Sequence, residues 1–372
     1  MRNTGRAIGD RWRRVKLGQT FDPRRNALNA WRLVMASAVV LQHCWPLTGH
    51  TAPGLGGLYD VSVDGFFVLS GFLITASWLR NPRPREYFVA RALRIFPGLW
   101  VCLIVVAFVI APIGVAVQGG SAKKLLMSTA PIEYVLNNAV LNVYHTSIAG
   151  TPNGVPWPHV WDGTLWTLIF ELFCYIGVAA AGMTGLLGRR WAVPVAFLLA
   201  VSLAAVVSYP AFAVQTIPQM IGRFAVVFLA GMLIHQFRDV LPARWSLVAL
   251  SMVIVLASAL LMVNYRVVAA IPLAYAVIVS GALIRNPRFR LRTDLSYGVY
   301  IYGWPTQQLL VICGLGFLNP FAFAVVAGTA TVSLAGGSWF LVEKRAIALK
   351  SRFTQKRLGV PAATVQQEAT SG

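Results

Sequence analysis

The chain has 372 residues, of which 57% are hydrophobic and only 12% charged, about half the charged fraction of an ordinary soluble domain. Those proportions exclude a disordered chain, a disulfide-stapled secreted module and a typical soluble enzyme. The net charge of +20 would favour nucleic acid if the basic residues were contiguous. Long apolar stretches interrupt them, so a membrane surface is the expected partner and nucleic acid is not.

Ten stretches have the length a bilayer demands, about 20 mostly apolar residues. In chain order they are 30–47, 61–79, 95–117, 161–182, 191–208, 218–237, 245–263, 267–284, 297–315 and 320–342. Helix is the expected backbone, because lipid supplies no hydrogen-bond partner to an open one. No series of short alternating segments marks an outer-membrane barrel. The expected fold class is therefore all-α, a polytopic membrane protein with about ten transmembrane helices.

Positive charge sets the expected orientation. With the N-terminus inside, 27 of the 32 Lys and Arg fall on the cytoplasmic side, from Arg2–Arg25, Arg80–Arg94, Arg189–Arg190, Arg238 and Arg244 to Arg285–Arg292 and Lys344–Arg357. Lys123, Lys124 and Arg266 fall outside, while Arg32 and Arg223 lie within apolar segments. The asymmetry predicts an even number of spans and both termini in the cytoplasm, in the cytoplasmic (inner) membrane.

The expected organisation is a basic cytoplasmic segment (1–29), a membrane domain (30–345) and a cytoplasmic tail (346–372) disordered at its end. The basic start lacks an apolar core, so the first span is expected to be an uncleaved anchor. Cys44, Cys102, Cys174 and Cys313 lie in or beside apolar segments without CxxC spacing, so neither a metal site nor a disulfide framework is expected. The longest outside segment, 118–160, carries Lys123, Lys124, Asn137, Asn138, Asn142 and His145 and runs into TPNGVPWPHVWDG. A helix against the membrane is predicted over 131–144.

Ionisable residues inside spans are costly and are functional candidates. Arg32 and His43 share the first span, 11 residues apart, a spacing that returns to nearly the same helix face after about 16 Å. Asp64 opens the second span at the depth of His43, where a carboxylate would fix the imidazole tautomer; a helix-start role is the alternative. Arg91 and Arg94 share a face at the start of the third span, suited to anionic lipid or to bidentate phosphate contacts. Glu171 lies ten residues into the fourth span, where it needs a proton or a partner; pairing with Arg223 or Arg32 is the structural alternative. Trp161, Asp162 and Trp166, with Trp157 and His159, crowd the outer mouth and suit a sugar ring, which presents apolar faces and hydroxyl edges. Together these groups fit transmembrane acyl transfer. Arginines at the inner surface would hold the phosphates of a cytosolic acyl thioester, and His43 would either take the proton of an acceptor hydroxyl arriving from outside or carry the acyl group as an acyl-histidine intermediate.

Six segments in order carry a resemblance: WRLVMASAVVLQHCWPL with Arg32 and His43, VDGFFVLSGFLIT, RALRIFPGLW with Arg91 and Arg94, LWTLIFELFCY with Glu171, SYGVYIYGWPTQQ and WFLVEKRAIAL with Glu343. The chain resembles the membrane acyltransferase 3 family, which includes O-acetyltransferases of bacterial polysaccharides, lipopolysaccharide and nodulation factors. The resemblance implies an acyl-CoA donor, usually acetyl-CoA, and a carbohydrate acceptor: a polysaccharide such as exopolysaccharide, a lipid-linked glycan or a glycolipid. Glycan-assembly proteins are the further partners. It implies His43 as the essential catalytic residue, donor-binding roles for Arg32, Arg91 and Arg94, and a functional acid at Glu171. The chain departs from many members where Tyr302-Gly303, not Trp-His, precede Trp304-Pro305, and where Glu171 stands without an adjacent acid. It looks closest to stand-alone exopolysaccharide-type members, without the SGNH hydrolase-like domain fused to some relatives.

Two readings of other classes compete. A secondary transporter would also place charge in spans, but no paired broken-helix pattern is present. A glycan-binding membrane protein without catalysis is the third.

Overall fold

The computed structural model describes residues 15–54, 57–141, 145–207, 216–291 and 293–349. The expectations for Arg2–Arg14, Asn142, Arg292 and most of the tail lie outside the described residues. Among the described residues there is no β-strand, only two isolated bridges. Each of the ten apolar segments contains a helix. These are α1 (Leu28–Leu47), α2 (Leu58–Arg80), α3 (Pro84–Val117), α6 (Leu168–Met183), α7 (Ala192–Val206), α8 (Ile217–Gln236), α9 (Trp245–Leu261), α10 (Arg266–Leu283), α11 (Ser296–Ile312) and α12 (Pro320–Ser338). Two short helices, α4 (Ala122–Leu126) and α5 (Ala130–Asn138), lie between α3 and α6. Six of the described helices are long and apolar enough to cross a membrane, and α7 and α9 are shorter apolar helices. Large apolar side chains such as Leu199, Val253 and Val325 remain exposed on α7, α9 and α12, as expected of faces turned to lipid.

The boundaries differ from the sequence reading in three places. The third helix starts at Pro84 rather than near 95, because Pro at the first position fits a helix start. The fourth starts with a short 3-10 turn at Leu165, so Trp161 and Asp162 lie ahead of it. The helix expected over 131–144 ends at Asn138, where the buried Asn138 amide donates to Tyr134 O and His145 O at 3.0 and 2.8 Å.

The described chain forms two compact units. The first comprises Thr51–Arg80, Thr167–Ser296 and the residues up to Gln42; the second comprises His43–His50, Asn81–Trp166 and the residues from Tyr297 onward. α1 contributes to both.

In the first unit α2 and α8 cross through reciprocal glycines. A Cβ at Gly71 would sit 2.0 Å from Phe228 O, and one at Gly231 would sit 2.1 Å from Val68 O. Only residues without a side chain allow backbones this close. Phe67 stacks on Phe224 beside the crossing, with centroids 4.1 Å apart. The start of α8 is fixed by a capping box between Thr216 and Gln219. Across the α9–α10 side, Gly57 N donates to Ala259 O at 2.9 Å.

In the second unit α3 packs against α11 and the π-turn Trp339–Glu343 that follows α12. Tyr297 donates to Ile95 O at 2.9 Å, and a Cβ at Gly98 would meet Tyr297 at 2.7 Å and Glu343 at 3.2 Å. Gly298 lets α11 approach Ala335 of α12. Cys44, Phe323 and Ala327 form a buried cluster, with Leu310 and Val311 packed against it.

Candidate active site

His43 belongs to the second unit. Its neighbour Cys44 is fully buried in the apolar cluster and accepts from Gln307 Nε2 at 3.1 Å. That anchoring sets the direction of the half-buried imidazole, which meets Trp304 edge to face, with centroids 4.8 Å apart and planes at 73°. Trp304 is fixed in turn. Its Nε1 donates to Val160 O at 3.2 Å, Trp157 packs at right angles to it at 5.8 Å, and Gly163 lies so close that a Cβ there would meet the indole at 2.8 Å. Gln308 Nε2 donates to Trp157 O at 2.7 Å and Val160 O at 2.8 Å, lacing this loop to α11. Among the described residues no hydrogen bond to the imidazole is made, so the ring is held by shape and both nitrogens stay available for proton transfer.

The outer-mouth residues divide. Trp161 is 0% exposed; its Nε1 donates to Thr151 Oγ1 at 3.0 Å and its ring packs on Gly114. Its large apolar surface is worth more buried than open, so in this structure it offers no face to a sugar. Asp162 is buried too. Its Oδ1 accepts from Thr164 N and Oγ1 at 2.9 and 2.8 Å, whereas Oδ2 is buried with no hydrogen-bond partner among the described residues. Burial pushes this carboxyl up to about 7, against the two Thr164 hydrogen bonds. Trp166 is half-buried, and Trp157, 45% exposed, is the aromatic that faces out. Arg91 and Arg94 are half-buried one turn apart on α3, with the Arg94 guanidinium 6.0 Å from the centre of the Tyr297 ring.

The first unit holds the other candidates, each with a partner. Arg32 pairs with Asp294 at 3.1 Å, and the other Asp294 oxygen accepts from Ser296 at the start of α11. Glu171 lies in the first turn of α6, nearer the helix start than mid-depth. It accepts from Ser70 Oγ at 3.3 Å and from Tyr175 OH; hydroxyls satisfy it, and the structural alternative of a pair with Arg223 or Arg32 is not formed, since these take Asp64, Asp60 and Asp294. For Asp64 the sequence leaves two roles open, orienting the imidazole or opening the helix. Its Oδ1 instead takes Arg223 Nε at 3.1 Å, and its Oδ2 takes Arg266 Nε at 2.5 Å together with Tyr265 OH. Asp60 closes the cluster, 2.9 Å from Arg223 and 2.6 Å from Arg266. The buried Asp64, Arg223 and Arg266 are thus neutralised together with the partly exposed Asp60, the arrangement buried charge requires. Arg266, assigned by sequence to an outside loop, opens α10 and is 2% exposed.

No role follows from sequence for Asp60, Asp294, Tyr265, Trp304, Gln307 or Gln308, although Trp304, Gln307 and Gln308 stand in the SYGVYIYGWPTQQ segment. Two adjacent glutamines inside an apolar span, and an Asp two residues before a helix-opening Ser, were the available signals. Among the described residues no group of three or more His, Cys, Asp or Glu is placed to hold a metal ion.

The family described as an acyltransferase domain matches residues 25–339. Nodulation protein 10 of Rhizobium leguminosarum bv. viciae is 28% identical over 369 residues, covering 90% of this chain and 97% of that protein. An O-acetyl transferase of Shigella phage Sf6 is 28% identical over 348 residues, covering 88% of this chain and 97% of that protein. No solved structure matches the chain.

Proposed function

The chain belongs to the acyltransferase 3 family, and from that premise we propose that it moves an acyl group, acetyl by preference, from cytosolic acyl-CoA to a hydroxyl of an extracytoplasmic or lipid-linked carbohydrate. The coarser part follows from the family and the apolar helices: a membrane protein with acyltransferase activity. The finer reading is ours, with ten spans, both termini in the cytoplasm and a place in the inner membrane. Helices in all ten apolar segments and the skewed Lys and Arg distribution support it.

The carrying observation is the His43 imidazole, held against Trp304 and free of hydrogen bonds among the described residues. In this reading His43 removes the acceptor hydroxyl proton as its oxygen attacks the thioester carbonyl. The C–S bond then breaks and the CoA thiol leaves, taking up the proton from the imidazolium. Arg32, Arg91 and Arg94 hold donor phosphates, Trp157 and Trp166 offer the sugar its aromatic faces, and Glu171 is a positioning acid. Asp64 serves the ion cluster, and Trp161 and Asp162 support the loop that carries Val160 and Gly163.

Mass spectrometry of cell-surface glycans from strains with the protein, without it, and with His43→Ala tests the proposal. Acyl groups present only with the intact protein are expected, and the shift identifies acetyl. Unchanged glycan acylation on deletion overturns the function; near-normal acylation by a folded His43→Ala protein overturns the catalytic assignment.

A further inference from the structure

In the first unit, residues 23–29 and 287–291 form, with Leu73, an open-sided cavity of about 690 Å³ whose polar lining is Arg24, Arg25, Asn26, Asn29 and Arg290, within the usual range of ligand sites. We propose that it is a phosphate-binding pocket, taking the phosphates of a nucleotide-bearing acyl carrier or the headgroup of an anionic lipid.

Three observations carry this. First, three guanidiniums line one cavity with no acidic side chain in its wall. Like charges gathered this way raise the local positive potential, which draws an anion. Among the described residues no ion pair engages Arg24, Arg25 or Arg290, whereas Arg32, Arg223 and Arg266 in the same unit each have a carboxylate.

Second, Arg290 lines the cavity and is incompletely satisfied. Its Nη2 donates to Arg285 O at 2.8 Å, while its Nε is buried with no hydrogen-bond partner among the described residues. A buried N–H without an acceptor is unfavourable, and the guanidinium it belongs to has its strongest partner in an anionic oxygen, which would meet the terminal nitrogens.

Third, both arginine-bearing loops are braced. Asn26 Nδ2 donates to Asp22 O at 2.8 Å and Pro23 O at 3.1 Å, and Arg24 N donates to Asp22 Oδ1 at 2.8 Å. Asn29 Nδ2 donates to Leu291 O at 3.1 Å, tying the second loop to α1. The charges are thus presented on fixed backbone, which lowers the ordering cost of binding. Arg32 is three residues beyond Asn29 on the same helix face. That an acyl carrier is one source of the phosphate rests on the function proposed above; the pocket's affinity for phosphate does not.

The test uses full-length protein in nanodiscs. One arm measures binding of adenosine 3′,5′-diphosphate against adenosine; the other uses native mass spectrometry to compare retained phosphatidylglycerol with phosphatidylcholine. The intact protein is expected to prefer the phosphate-bearing probe in at least one arm, and R24Q/R25Q to weaken that binding about tenfold or more, as loss of charge-assisted hydrogen bonds requires. R24K/R25K should retain part of it, and R290Q should repeat the loss. Arg24 and Arg25 are exposed, so R24Q/R25Q remains informative even if R290Q does not fold. Loss in the nucleotide arm assigns the pocket to the carrier, and loss in the lipid arm assigns it to the membrane. Equal binding of both probes by intact protein and folded R24Q/R25Q overturns the proposal. His43→Ala is expected to keep phosphate binding, so a failure of the pocket and a failure of the proposed reaction are read separately.

Discussion

His43 and Trp304 meet edge to face, with ring centroids 4.8 Å apart. The arrangement is the one the aromatic quadrupole favours, and it holds the imidazole without committing either nitrogen. If that imidazole is the general base, His43→Ala should lower acyl transfer about 10²- to 10⁴-fold, the usual contribution of such a group. Single-turnover acylation of isolated glycan by protein in nanodiscs measures it, with size-exclusion profiles confirming that the variant is folded.

Gly163 gives a sharper test of positioning. A methyl group there would meet the Trp304 ring at 2.8 Å, and the indole is held from other sides by Val160 O and Trp157. Gly163→Ala is expected to cost about 1–3 kcal/mol of stability, as overpacking does. It should also lower kcat by shifting the Trp304 ring that supports His43, with donor KM unchanged. An unaltered kcat would show that Trp304 does not position the imidazole.

Asp64 should behave as a structural anchor. Asp64→Asn leaves Arg223 and Arg266, 4% and 2% exposed, with half their countercharge, and breaking a buried ion pair costs about 3–5 kcal/mol. Tyr265→Phe removes one hydrogen bond and should cost about 1 kcal/mol. Thermal unfolding in detergent checks both. A fully stable but inactive Asp64→Asn protein would return Asp64 to the reaction.

Arg91→Ala and Arg94→Ala are each expected to raise the donor KM about tenfold, the loss of a charged phosphate contact, with little effect on acceptor KM. Initial rates at varied acyl-CoA and fixed glycan separate the two. A change confined to the acceptor would move these arginines out of the donor site.

Asp162 predicts a pH signature. Its folded carboxyl is raised from 3.8 to about 7, so between those values the unfolded chain has already lost a proton that the folded one keeps. Stability from this group is complete below pH 3.8 and falls as pH rises to about 7, by a few kcal/mol in all. The melting temperature should therefore fall between pH 5 and 7.5, and less so in Asp162→Asn. Parallel curves for the two proteins would contradict this assignment.

The helices were legible because their signal is local. An apolar run long enough to cross lipid must close its backbone hydrogen bonds within itself, so residues such as Val253 or Leu199 report helix without reference to any partner. The Arg32–His43 spacing was legible for the same reason: it is a property of one helix. Where a helix starts was less so. Asp162 and Trp161 have neighbours apolar enough to extend the fourth span, yet Thr164 turns its hydroxyl and amide onto Asp162 and the helix waits until Leu165.

What each polar group touches was decided only in three dimensions. Arg32 finds Asp294 across 262 positions of chain, Asp64 finds Arg223 and Arg266, and Glu171 is met by Ser70 and Tyr175 rather than by a cation. Composition and hydropathy dictate that such groups need partners inside a membrane, because an unpaired charge or dipole there is costly. They do not say which, since that depends on which helix faces meet. Glycines such as Gly71 and Gly231, which admit another backbone where any side chain would collide, determine that meeting.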